Sequence, residues 1–162
     1  MSYFLFGAVR IDPECVSDLC QLSRAVARAA LARDLFVLAG PNITQRDITR
    51  VLHDRGLNTP GCMPFVLTSS PVHDTSEDLL SPLESGTSDI DYLHPRLMRV
   101  AAWITLVLAI PGVSGLELLT SEGYDTSYAE LRVPPGRFAE ELVHRVRAEY
   151  DVPSLHFHFA SG

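Results

Sequence analysis

The chain has 162 residues, 46% of them hydrophobic and 20% charged, with a formal net charge of −7. That length suits one ordinary domain, and the apolar fraction excludes a disordered chain. All thirteen basic residues are arginine, which excludes lysine-dependent Schiff-base enzymes, P-loop NTPases and kinase-type phosphotransferases, while the acidic balance excludes duplex nucleic acid as the main partner.

Ser2 to Ile11 reads as a strand rich in aromatic and β-branched residues. Asp12-Pro13-Glu14 then opens a helix, with Asp12 as N-cap, and apolar residues recur at helical spacing from Val16 to Leu31. Leu35 to Ala39 is expected as a short buried strand closing a β-α-β unit, ended by Gly40-Pro41-Asn42. Thr44 to Asp47 matches a capping box; Ile48, Val51 and Leu52 form the apolar face and Gly56 the stop. Pro64 to Ser69 is the next strand. Residues 70–91 change to Ser, Thr, Pro and acidic residues, the composition of a long loop.

Pro95 opens a helix to Ile110 that is apolar on every side, which predicts the central and most buried helix. Its apolar run is too short to cross a bilayer. Gly115 to Ser121 and Thr126 to Val133 flank Glu122-Gly123-Tyr124-Asp125 as a hairpin. A last helix points Phe138, Leu142, Val146 and Tyr150 inward and carries the pairs Glu140/His144 and Glu141/Arg145 outside. Leu155, Phe157 and Phe159 alternate with His156 and His158 in a final strand. The order β-α-β-α-β-loop-α-β-β-α-β predicts a single α/β or α+β domain over residues 1–162. Its mixed sheet has about five or six strands, covered by about four helices.

His156 and His158 are two apart on a strand, so both imidazoles share a face and could reach one metal. No Cys, Asp or Glu stands beside them at ligand spacing, and they read as the polar half of a half-buried strand, with no metal and no cofactor. Gly112-Val113-Ser114-Gly115 falls one residue short of a nucleophile elbow and sits between helix and strand, so it reads as a helix stop. Cys62 lies in a Pro- and Gly-bounded loop with no cationic neighbour to activate it. Thr44 to Leu57 resembles the first helix of a DNA-reading pair, but Pro60, Gly61 and Pro64 forbid the second. Asp89-Ile90-Asp91 has a spacing compatible with magnesium, and also with a solvated acidic loop. Three cysteines without zinc spacing, and no basic leader segment, predict a cytoplasmic protein with free thiols.

Leu118 to Asp125, followed by a strand, an acidic helix and a terminal strand, resembles the endings of bacterial immunity proteins, over roughly residues 115–160. That resemblance implies a non-catalytic inhibitor of a cognate toxin, binding a basic active-site face by shape and charge, without nucleic acid or membrane. The residues expected to meet the partner are Glu122, Tyr124, Asp125 and Tyr128 around the hairpin, and Asp74, Glu77, Asp78, Asp89 and Asp91 in the long loop. The alternatives are a structural subunit forming a homo-oligomer such as a homodimer, and a small metal-dependent enzyme using His156 and His158.

Overall fold

The computed structural model describes residues 4–39, 46–68, 90–121, 127–149 and 154–161. Its strands are β1 (Phe4–Ile11), β2 (Phe36–Ala39), β3 (Cys62–Thr68), β4 (Val113–Ser121), β5 (Ala129–Arg132) and β6 (Leu155–Ala160). They form one six-stranded mixed sheet in the order β2-β3-β1-β4-β6-β5, in which only β5 and β6 pair in parallel. Four α-helices lie among the described residues: α1 (Leu19–Leu31), α2 (Arg46–Asp54), α3 (Ile90–Leu108) and α4 (Phe138–Glu149). The fold is the expected α+β arrangement. None of these helices is long and apolar enough to cross a membrane.

Successive strand residues point to opposite faces, so each strand contributes to two different environments. On one face Leu5, Val9, Phe65, Leu116, Leu118 and Phe157 pack against α1, α3 and α4 in a single buried cluster. Trp103 of α3 sits within it, edge-on to Phe65 at 5.1 Å, and its Nε1 donates to the Val26 carbonyl at 3.2 Å. The indole donor is therefore satisfied inside the core. Phe138 of α4 meets Phe157 edge-on at 4.9 Å.

The opposite face is covered in part. Ile48, Val51, Leu52 and Leu57, on and just after α2, pack over Phe6, Ala8, Cys62, Val66 and Leu119. Toward β6 and β5 the residues on this face become polar.

Several expectations are overturned. β4 and β5 are not hairpin partners, because β6 lies between them. The reason is burial: β6 buries Leu155, Phe157 and Phe159, and a buried strand needs hydrogen-bond partners on both edges. β5, mostly exposed, takes the rim. The β1-α1-β2 unit is split, since β3 inserts between β1 and β2, antiparallel to both. β2 is thus an edge strand with Leu38 52% exposed, not a buried one.

Helix α3 begins at Ile90 and contains Pro95. Asp91 therefore lies on a helix rather than in the loop, and Pro95 withholds one amide hydrogen bond inside it. Only one side of α3 is buried (Leu97, Val100, Ala101, Trp103, Ile104 and Val107), while Met98 is 43% exposed. Pro13–Asp18 forms a 3-10 helix ahead of α1, and Asp12 makes no side-chain cap. Cys62 opens β3 and is buried rather than looped out. Glu141 pairs with Arg145 at 3.3 Å as expected, whereas Glu140 pairs with Arg137 at 3.1 Å. Thr44 and Gln45 of the capping box lie outside the described residues.

Candidate functional site

The polar half-face is built from two rows that cross the sheet. In one, Arg132 of β5 stands opposite His158 of β6, which stands opposite Glu117 of β4. In the next, Glu130 stands opposite His156, which stands opposite Leu119. Arg10 joins from β1, paired in register with Gly115. A Cβ on Gly115 would lie 2.9 Å from the Phe159 carbonyl oxygen, so glycine there permits the close approach of the β6 backbone.

Arg55 reaches the site from the end of α2. Gly56 adopts φ +72°, a left-handed conformation that glycine takes without penalty, and the Leu57 amide returns to the Leu52 carbonyl at 2.7 Å. This helix stop fixes Arg55 where its guanidinium bonds Glu130 at 2.8 Å and lies 5.3 Å from the Tyr128 ring centroid.

Glu117 is the centre, although it is only 4% exposed. Its Oε1 accepts from Arg10 Nε at 2.8 Å; its Oε2 accepts from His156 Nε2 at 3.2 Å and His158 Nδ1 at 2.7 Å. Burial alone would raise its pKa. Hydrogen bonds from His156 and Arg10 overcome that and lower it to about 2. Glu117 is an anion held by three donors.

The imidazoles are stacked, with centroids 4.0 Å apart. Arginine can only donate, so His156 Nδ1 must accept from Arg55, whose Nε and Nη2 lie at 3.2 and 2.9 Å. The His156 proton is thereby assigned to Nε2, the atom that faces Glu117. His158 donates through Nδ1, which leaves its buried Nε2 without a hydrogen bond, 3.4 Å from Glu130 Oε1.

Glu117, His156 and His158 each place a potential ligand atom within 4.8 Å of the others, close enough for one cation. A metal-bound histidine offers a lone pair and donates its other N–H to an acceptor. Arg55 imposes the reverse on His156. As folded, the trio is a hydrogen-bonded network, and a cation would need Arg55 to withdraw and both imidazoles to exchange the N–H facing Glu117 for a lone pair.

Beside the network opens a cleft of about 360 Å³, lined by Arg10, Gly115, Glu117, Arg132, Val133 and His158 among others. Across the whole half-face three arginines (Arg10, Arg55, Arg132) face two glutamates, Glu117 and Glu130. The local charge is therefore opposite in sign to that of the chain.

Of the residues expected to meet a partner, only Tyr128 has a described side chain, and it is half-buried against the α2 cluster. Asp91 has only its backbone placed, in the first turn of α3; Asp74, Glu77, Asp78, Asp89, Glu122, Tyr124 and Asp125 lie outside the described residues. His156 and His158 do share a face, but they are inside a network, 3% and 14% exposed at their side chains, so the strand is covered on both faces rather than half-buried. Glu117, Arg10 and Arg55 were missed. Each of the first two is a lone charge in an otherwise apolar strand, a usable signal once the strand order is known.

Comparison with family models, with curated proteins and with solved structures finds no match to this chain.

Proposed function

We propose that this protein is a non-catalytic immunity protein, an inhibitor that binds and neutralises a cognate bacterial toxin domain in the cytoplasm. The observation that supports this reading is the self-contained Glu117 network. Glu117 and the two imidazoles are bonded to one another inside the protein and hold in place the charged side chains above them, Arg10 on Glu117 and Arg55 between His156 and Glu130. Side chains already held in place lose little freedom when a partner docks, and a set pattern of charge selects one partner and steers its approach. In this reading Asp74, Glu77, Asp78, Asp89, Asp91, Glu122 and Asp125 are the acidic residues that meet a basic toxin face, with Tyr128 as an anchor.

A second reading, a small enzyme, has a specific observation in its favour. Glu117 orients His158 through Nδ1 as a carboxylate orients a general base. Against it, the free Nε2 is a buried atom that lies 3.4 Å from Glu130 Oε1, with no second acid or nucleophile beside it among the described residues.

The test is co-production with the protein encoded beside this one. The neighbour is expected to be toxic alone, harmless together, and held in a tight complex. Tyr128→Ala should speed dissociation, whereas Asp89→Asn with Asp91→Asn should slow association and flatten its salt dependence. A harmless neighbour, or one that never binds, overturns the inhibitor reading.

A further inference from the structure

The cleft beside the network has a chemical bias of its own. Two of its walls are guanidinium groups, which only donate, and its one carboxylate has both oxygens already engaged. Arg10 spends Nε on Glu117, while its Nη1 has only Cys62 Sγ at 4.0 Å, and its side chain is 47% exposed. Arg132 makes no ion pair among the described residues. Its cross-strand neighbour His158 is turned to Glu117 and does not compete for an acceptor. Val133 and Pro134 add an apolar wall. A ligand that fits must therefore accept charged hydrogen bonds at one end and tolerate an apolar surface at the other. The volume is that of a small organic molecule.

We propose that this cleft binds a small organic oxyanion, a carboxylate or a phosphate ester, through the paired donors of Arg132 and Arg10. Arginine's planar fork matches two oxygens of such a group at once. Glu117 does not repel the ligand outright, because Arg10 and the two imidazole donors already surround its charge. The site does not depend on the inhibitor reading, since it needs no protein partner.

Inorganic phosphate and butyrate, titrated separately at constant chloride-balanced ionic strength and followed by backbone amide NMR, test it. At least one should shift Gly115, Arg132 and His158 saturably, with a dissociation constant of about 1 mM or tighter. A stronger phosphate arm assigns a phosphate ester; a stronger butyrate arm assigns a carboxylate. Arg132→Gln should weaken binding about tenfold or more while the remaining amide spectrum superimposes. Arg132→Lys, which keeps the charge and loses the fork, should fall between the two. Shifts that stay linear in both titrations, or binding undiminished in Arg132→Gln, overturn the proposal.

Discussion

The two faces of the sheet carry the same alternating strands to opposite ends. On the face under α1, α3 and α4, residues such as Leu118 and Phe157 are fully buried within one apolar cluster. One position away on each strand, Glu117 and His156 are as deeply buried but sit in a network of charge. Apolar burial stabilises through area removed from water, at roughly 25 cal/mol per Å², and tolerates local adjustment. Glu117 and His156 have no such margin, because each depends on named partners and a lost partner leaves a buried polar group unmet. Stability therefore belongs mainly to one face, and specificity to the other.

The largest effect should come from carrying polarity to the wrong face. Ile104 is fully buried in α3. Ile104→Asp should abolish folding, because an unpaired carboxylate there has no donor, a penalty of about 4 kcal/mol or more on a marginally stable domain. Circular dichroism and urea titration would show it. A stable, cooperative variant would place α3 elsewhere.

The converse change removes the charge from the polar face. Glu117→Gln removes the anion that the two imidazole donors and Arg10 share; because Arg10 is 47% exposed and water can take over its charge, the cost should be about 2 kcal/mol at neutral pH, the scale of lost charged hydrogen bonds rather than of a fully buried ion pair. It should also change the response to acid. The folded pKa of about 2 lies below the ordinary 4.5, so the carboxylate stabilises the fold fully above pH 4.5. That contribution declines as pH falls from there and is gone below about 2. Urea midpoints at successive pH values should show this loss in the wild type and its absence in Glu117→Gln. Parallel acid curves would refute the role given to Glu117.

What the sequence discloses divides along the same line. The apolar face is legible from period: Leu155, Phe157 and Phe159 alternate, and Leu97, Val100, Ile104 and Val107 recur at helical spacing. Element order follows, and with it the α+β class. Strand adjacency does not, because β4 and β5 look like a hairpin until β6 claims the place between them. His156 and His158 are visible as a pair, yet their third partner, Glu117, is 39 residues away and arrives only through that insertion. The expectation of no nearby carboxylate fails for this reason. Arg55 was harder still, since its role rests on a left-handed turn at Gly56 that aims it across the sheet.

A smaller effect separates network from metal site. Arg55→Leu removes the donors that hold His156 in its present tautomer. The cost should be about 1–2 kcal/mol, the scale of lost hydrogen bonds to a part-buried group. With Nδ1 released, Nε2 can present a lone pair toward Glu117, and zinc affinity should rise about tenfold or more over wild type. Competition against a chromophoric chelator measures it. Stoichiometric zinc in the wild type would refute the tautomer assignment and favour the metal-enzyme alternative.

The smallest effect concerns an ion pair with the same chemistry in a different place. Arg137 and Glu140 approach to 3.1 Å, close to the Arg10–Glu117 distance of 2.8 Å, but both side chains are more than half exposed. Water screens the pair, and ordering two long side chains offsets most of its attraction. Glu140→Gln should therefore change stability by no more than about 0.5 kcal/mol. At high salt even that difference should shrink, since exposed charges are screened first. Glu117→Gln should keep most of its cost under the same conditions, because the carboxylate and its two imidazole partners lie inside the protein. If both variants lost their effect in salt alike, burial would not be what distinguishes the polar face, and Glu117 would be an ordinary surface carboxylate.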